Sequence, residues 1–310
     1  MHHASLLATV DLGSNSFRLE VSRCTPGRIE RVQYLKDIVR QGNGLDASGQ
    51  LSLAAMQRGW ECLARFAECL ATFAPIRVRA IATQTLREAH NREEFVRQGS
   101  AILGHPIEIL SGSEEAQLVY QGVACLVPPS DEKRLVLDIG GRSTELILGQ
   151  HERAQAMASF PVGSVSWSMR HFADGALTEQ AFASAQASAS AALAPALAVF
   201  QRSAWQVAYG SSGTVTAANE ILISAGRSGA SGNCIRRADV DWLQQQLIDP
   251  SSACQQLAAI QQDNRRPIIG GGISVLRAVF ALLDIDTLHV VRGALRQGVL
   301  HQLLNQTAAG

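Results

Sequence analysis

Two stretches of the chain carry the same hydrophobic and polar pattern. Leu6–Val21 and Arg134–Leu148 each run as an apolar, β-rich segment, an Asp, a turn of small residues and a second β-rich segment. Aligning Asp11 with Asp138 also matches Gly13 with Gly140, Ser16 with Ser143 and Leu19 with Leu146. A spacing of 127 residues is too long for a solenoid repeat and is about the size of one domain. The pattern predicts a duplicated domain, each copy opening with a strand–turn–strand unit.

Between the copies, apolar residues at helical spacing (Leu53, Met56, Trp60, Leu63, Phe66, Leu70) predict an amphipathic helix over 51–73, with Ser52 as N-cap. Strands are expected at Val78–Thr83 and Ile107–Leu110, and helices at Asn91–Leu103 and Glu114–Val123. The run 128–133, Pro-Pro-Ser-Asp-Glu-Lys, reads as a linker. In the second half an Ala/Ser-rich helix is expected over 178–200, kinked or ended by Pro195. A strand at Trp205–Tyr209, a glycine turn at Gly270–Gly272, a helix from Val275, a strand at Leu288–Val291 and a helix at Ala294–Leu304 follow. Residues 224–237 read as a mobile loop. The domains are therefore expected at 1–127 and 128–293, with the helix 294–310 packing back on the first.

Composition narrows the class. The 310 residues suffice for about two domains of ~150 residues. Cations and acids balance at 27 each, which argues against a chain that coats nucleic acid or anionic lipid through bulk charge. Lys stands only at 36 and 133, so 25 of the 27 cations are Arg, whose planar fork suits phosphate and carboxylate. The six cysteines (24, 62, 69, 125, 234, 254) form no CxxC or His/Cys cluster, as expected of reduced thiols. Neither a bilayer-spanning apolar run nor a signal peptide is read, so a cytoplasmic protein without membrane or nucleic-acid-polymer partners is expected.

The chemistry concentrates in three small-residue turns: Gly13, Ser14, Asn15 and Ser16 after Asp11; Gly140, Gly141, Arg142 and Ser143 after Asp138; and Gly210, Ser211, Ser212, Gly213 and Thr214. Small residues let backbone N–H groups approach an anion, and hydroxyls add donors. None of the turns matches a P-loop or a Rossmann fingerprint. Asp11 and Asp138 at strand ends, with Glu145 at the start of a return strand, offer hard oxygen ligands suited to Mg²⁺ or Mn²⁺. Ser111-Gly-Ser-Glu-Glu115 reads first as a helix start with a Ser111/Glu114 capping box; a general base here needs a glutamate within reach of water. Arg87 and Arg265 are candidate phosphate clamps. No Ser/His/Asp pattern is present.

Together these residues resemble the exopolyphosphatase / guanosine pentaphosphate phosphatase family, from Val10 to Leu304. The carrying motifs are Asp11–Arg18, Ala80–Ala89, Ile109–Ala116, Leu137–Glu145 and Gly293–Leu300. The resemblance implies an α/β fold of two ribonuclease-H-like domains of the actin/hexokinase/heat-shock ATPase superfamily, flanking a cleft. It also implies Glu115 as catalytic base, Asp11, Asp138 and Glu145 as metal or phosphate-site acids, and a homodimer. The expected activity is exopolyphosphatase cleavage of terminal phosphate from inorganic polyphosphate by Mg-assisted attack of water. Guanosine pentaphosphate 5′-phosphohydrolysis is the nearest alternative, and a non-catalytic polyphosphate or alarmone sensor is another. A sugar or acetate kinase is disfavoured by Glu115 and by the lack of a sugar-binding motif. The chain departs from the family pattern at Arg142 (usually Gly), Pro267 (usually Asp), Arg292 (usually small or acidic) and Gln297 (usually Glu). It also ends where longer members continue.

Overall fold

The computed structural model describes residues 5–25, 28–73, 76–227, 233–249, 251 and 266–308. The chain divides into two units: Met1–Glu115 together with Leu295–Gly310, and Ala116–Ala294. The division expected at 127/128 thus falls earlier, inside the helix Gly112–Leu126. A continuous helix carries the chain from one unit to the next, and the Pro-Pro segment lies wholly in the second. There the buried Arg134 donates to Pro128 O at 3.1 Å and to His151 O at 3.2 Å.

The first unit holds a five-stranded sheet ordered β3-β2-β1-β4-β5. Its strands are β1 Ser5–Leu12, β2 Phe17–Thr25, β3 Arg28–Asp37, β4 Arg77–Ala82 and β5 Ile107–Ile109. β1 pairs antiparallel with β2 and parallel with β4. The helix Leu53–Ala71 turns Met56, Trp60, Leu63, Phe66 and Leu70 into the core. Each such side chain contributes about 1.5–3 kcal/mol by leaving water. Ser52 caps this helix, its side chain accepting from Ala55 N at 3.4 Å. The helix Arg92–Leu103 ends on Gly104 at φ +75°, a conformation that glycine adopts without penalty.

The second unit repeats this scheme. Its strands are β6 Arg134–Ile139, β7 Thr144–Gln150, β8 Arg153–Phe160, β9 Val207–Ser211, β10 Cys234–Arg236 and β11 Thr287–Val290. The order β8-β7-β6-β9-β11 matches the first sheet strand for strand and sense for sense, and β10 adds an antiparallel edge. This is the ribonuclease-H-like order, twice over. β3 and β8, missed in the sequence pattern, are edge strands whose polar positions blur the alternation.

Pro195 ends the Ala/Ser helix as expected: Glu179–Leu193 gives way to a 3₁₀ turn at Ala194–Ala196. The stretch Glu179–Phe200 is, against expectation, long and apolar enough by composition to cross a membrane. Its Phe182, Ala185, Ala189 and Leu193 nevertheless lie buried in the second unit's core. Gly270–Gly272 also departs from expectation, sitting inside the helix Ile269–Leu282 rather than in a turn. A Cβ on Gly271 would meet Ser164 O and Ser168 N at 2.5 Å, so glycine here permits close packing against the helix Ser164–His171. Arg265, Cys254 and positions 228–232 of the expected mobile loop lie outside the described residues.

Candidate functional site

In the first unit the β1–β2 hairpin sets Asp11 directly opposite Arg18, and Arg18 Nη1 donates to Asp11 Oδ2 at 3.2 Å. Asp11 is buried, and a buried carboxylate needs such a partner. The turn from Gly13 to Ser16 is tight: a Cβ on Gly13 would lie 3.0 Å from Ser16 O. Its carbonyls are tied backwards, Ser14 O accepting from Gly42 N at 2.8 Å and Asn15 O from Arg40 N at 2.9 Å. The Ser14 and Thr85 hydroxyls are hydrogen-bonded at 2.8 Å. The amides of Ser14 and Asn15 donate to no acceptor among the described residues. A turn with its carbonyls secured and its amides open has the form of an anion cradle.

The two glutamates at the start of the helix Gly112–Leu126 part company. Glu114 closes the capping box: its Oε2 accepts from Ser111 N at 2.8 Å and Ser111 Oγ at 2.7 Å, and Ser111 Oγ accepts from Glu114 N at 3.2 Å. Those bonds hold the Glu114 carboxyl below its ordinary range. Glu115 is buried instead, and its Oε2 accepts from both Nη1 and Nη2 of Arg87 at 3.1 Å. Arg87 also donates from Nη1 to Leu110 O at 2.6 Å and from Nε to Gln84 Oε1 at 2.9 Å, while Nη2 donates to Gln84 as well. These contacts engage all five guanidinium donors, an arrangement that a reading as phosphate clamp did not anticipate.

In the second unit the β6–β7 hairpin occupies the same register as β1–β2, with Asp138 directly opposite Glu145 where the first unit has Asp11 opposite Arg18. On its other side Asp138 neighbours Ser211 of β9. Glu145 is buried, and its Oε1 accepts from Ser159 Oγ at 2.8 Å. Two carboxylates directly opposite on adjacent strands repel unless a cation stands with them. This oxygen pair suits Mg²⁺, which keeps most of its waters and takes one or two carboxylates. Asp11 is paired with Arg18. Among the described residues no group of three or more His, Cys, Asp or Glu side chains is arranged to hold a metal ion.

The turn from Gly140 to Ser143 is secured from behind. Gly140 N donates to Ser143 O at 2.8 Å. Gly140 O accepts from Ser164 N at 3.0 Å, and Gly141 O from Val165 N at 2.7 Å. The first amides of the helix Ser164–His171 thus consume the turn's carbonyls. Gly163 permits the approach, since a Cβ there would meet Arg142 N at 2.4 Å. Arg142 therefore fits where the family has glycine, because the close contact falls on its backbone.

Gly210 and Ser211 end β9, and Ser212, Gly213 and Thr214 begin the helix Ser212–Ser224. Ser212 has φ +102°, strained for a non-glycine residue, and its Oγ accepts from Thr214 N at 3.1 Å. Of the remaining departures, Arg292 pairs with Glu220 at 3.1 Å, Pro267 lies in a 3₁₀ turn, and Gln297 donates to Glu20 at 3.3 Å. Sequence reasoning missed Arg18, Thr85, Gln84 and Ser159. Arg18 alone was signalled, by the shared seven-residue offset of Asp11/Arg18 and Asp138/Glu145.

The sequence model of the Ppx/GppA phosphatase family matches residues 20–307. The chain belongs to that family. Relatives within it include the guanosine-5′-triphosphate,3′-diphosphate pyrophosphatase of Aeromonas salmonicida, 39% identical over 308 residues and 98% of this chain. The protein of the same name from Aliivibrio fischeri is 39% identical over 305 residues and 97% of this chain. This Ppx/GppA chain spans 60% of the length of each. An exopolyphosphatase-like protein of known structure is 25% identical, with a TM-score of 0.83 over 97% of this chain and 99% of the other. An exopolyphosphatase from Cytophaga hutchinsonii shares the fold at a TM-score of 0.83 and 23% identity, over 97% of this chain and 98% of the other. The Aquifex aeolicus member does so at 0.79 and 22%, over 98% and 99%.

Proposed function

We propose that the protein is a metal-dependent phosphoanhydride hydrolase that removes the terminal 5′-phosphate of guanosine 5′-triphosphate 3′-diphosphate. The observation that carries the chemistry is Glu115, a buried carboxylate oriented by Arg87 while its neighbour Glu114 serves as helix cap. The paired Arg87 nitrogens fix the direction of that carboxylate, and a general base must be held within reach of the water it activates.

The Ser14–Asn15 amides would receive phosphoryl oxygens, and in the second unit the turns at Gly140–Ser143 and Gly210–Thr214 would offer hydroxyls and their remaining amides to the same kind of anion. Their backbones are already secured, so they need little reorganisation when charge develops. Asp138 and Glu145 would hold Mg²⁺ or Mn²⁺, with Ser159 fixing Glu145 and Asp11 acting, through Arg18, on the phosphate side. The bound metal would neutralise charge on the transferring phosphoryl group.

The choice of nucleotide rests on the names of the 39%-identical relatives. Inorganic polyphosphate, the first expectation from sequence, becomes the second reading, supported by the family match and the exopolyphosphatase-like structure at 25% identity. The test is phosphate release from the guanosine substrate, polyphosphate of defined length and ATP, with and without Mg²⁺. Glu115→Gln is expected to lower the rate by about 10²–10⁴ with the fold intact. Near-full release by that variant would remove Glu115 as base, and faster release from polyphosphate would reverse the substrate order.

A further inference from the structure

We infer that Gln84 is a positioning residue for the base, locking Arg87 onto Glu115; the inference rests on the hydrolase reading above. Gln84 opens the short helix Gln84–Glu88 immediately after β4. Its Oε1 accepts from Arg87 Nε at 2.9 Å and also from Nη2, and its Nε2 donates to Glu88 Oε1 at 2.6 Å. The Glu88 bond fixes which way the amide faces, because a carboxylate accepts only from the NH₂ side. The amide oxygen is thereby aimed at Arg87.

Two further anchors complete the lock. Leu110 O accepts from Nη1 at 2.6 Å, and Glu115 Oε2 receives both terminal nitrogens at 3.1 Å. Glu88, Gln84, Arg87 and Glu115 form one chain of charge-assisted bonds within the first unit. With every donor engaged, Arg87 acts on the reaction through the carboxylate it orients. Gln84 touches no reacting atom; its effect passes through Arg87. A long, flexible arginine loses less entropy on holding Glu115 when a second group has already fixed its plane.

The test uses the full chain with Gln84→Met, which keeps the side chain's length and removes all three of its hydrogen bonds. Gln84 is only half-buried, so the fold is expected to survive. The expected result is a fall in kcat on the order of tenfold, with KM changed less than about twofold. Exchange of the Arg87 Nε proton, followed by arginine side-chain NMR, should quicken at the same time. The double variant Gln84→Glu/Glu88→Gln, which restores an acceptor facing Arg87 and a donor behind it, should recover both. Unchanged kcat overturns the inference, and so does unchanged exchange. A wild-type chain that releases phosphate from no substrate defeats the hydrolase reading itself, and the exchange measurement then decides alone whether Gln84 locks Arg87.

Discussion

The C-terminal helix Ala294–Ala308 is tied to the first sheet by a buried ion pair, besides the Arg79–Gln302 hydrogen bond and the buried Val299, Leu300 and Leu303, and removing half of that pair should loosen the helix. Arg296 Nε donates to Glu20 Oε2 at 3.1 Å, and the two side chains are 13% and 4% exposed. Gln297 Nε2 donates to the other oxygen at 3.3 Å, and the Arg296 guanidinium lies 5.3 Å from the centre of the Tyr34 ring. At that ionic separation the attraction is about 5 kcal/mol for an effective dielectric constant of about 20. Desolvation of the two charges cancels most of it, so the intact pair contributes little net stability. The single variants behave differently. Arg296→Met leaves the Glu20 carboxylate buried with one amide donor, at a cost of about 3–5 kcal/mol, of which the lost cation–π contact supplies about 0.5–1 kcal/mol.

Native-state hydrogen exchange of the helix amides reads this directly. Protection from Leu295 to Leu304 should fall by roughly a hundredfold or more, since each 1.4 kcal/mol is about a factor of ten. Glu20→Leu/Arg296→Met should return protection to within about 1 kcal/mol of the wild type, because an apolar pair of similar size carries no desolvation cost. The reasoning fails if Arg296→Met alone leaves protection unchanged, or if the double variant is as weak as the sum of the singles.

Two other substitutions test particular contacts. Gly122→Ala would put a Cβ 1.7 Å from Ala294 O; because the obstacle is backbone, the cost should reach or exceed the ~1–3 kcal/mol of ordinary overpacking, seen as a lowered urea midpoint. Ser159→Ala removes the 2.8 Å bond to Glu145 and should raise the Mg²⁺ concentration for half-maximal phosphate release by about tenfold, with little change at saturating metal.

The paired Asp hairpins were legible because period-two alternation, a strand-end Asp and a small-residue turn are local signals, and each recurred at the same spacing. The same holds for the Ser111/Glu114 cap, whose bonds join residues three apart. What stayed hidden depends on tertiary neighbours. Ser159 reaches Glu145 only through the β7–β8 register. Gln84 owes its position to Arg87 and Glu88, three and four residues on, a helical proximity that says nothing of Leu110 or Glu115. Gly270–Gly272 reads as a turn by propensity, yet the packing of the helix Ser164–His171 against it overrides that preference. The unit boundary was misplaced for a related reason: a Pro-Pro run punctuates the chain without marking where contacts change.

The repeated hairpin sorts the chain's balanced charges differently in its two units. Both hairpins place an Asp at the same register position, and the residue opposite decides what that Asp can do. In the first unit the opposite residue is Arg18, so the pair is neutral without help and Asp11 serves to hold a guanidinium beside an open-amide turn. In the second it is Glu145, which sets a second carboxylate at the position that Arg18 holds in the first. The same register position thus holds a guanidinium in one unit and, on the proposed reading, a metal-ligand pair in the other. Arg18→Glu would impose the second unit's chemistry on the first. On the proposed reading it should weaken phosphate binding, measured as a raised KM for the guanosine substrate, since Glu115 and Arg87 lie outside the hairpin and are left in place.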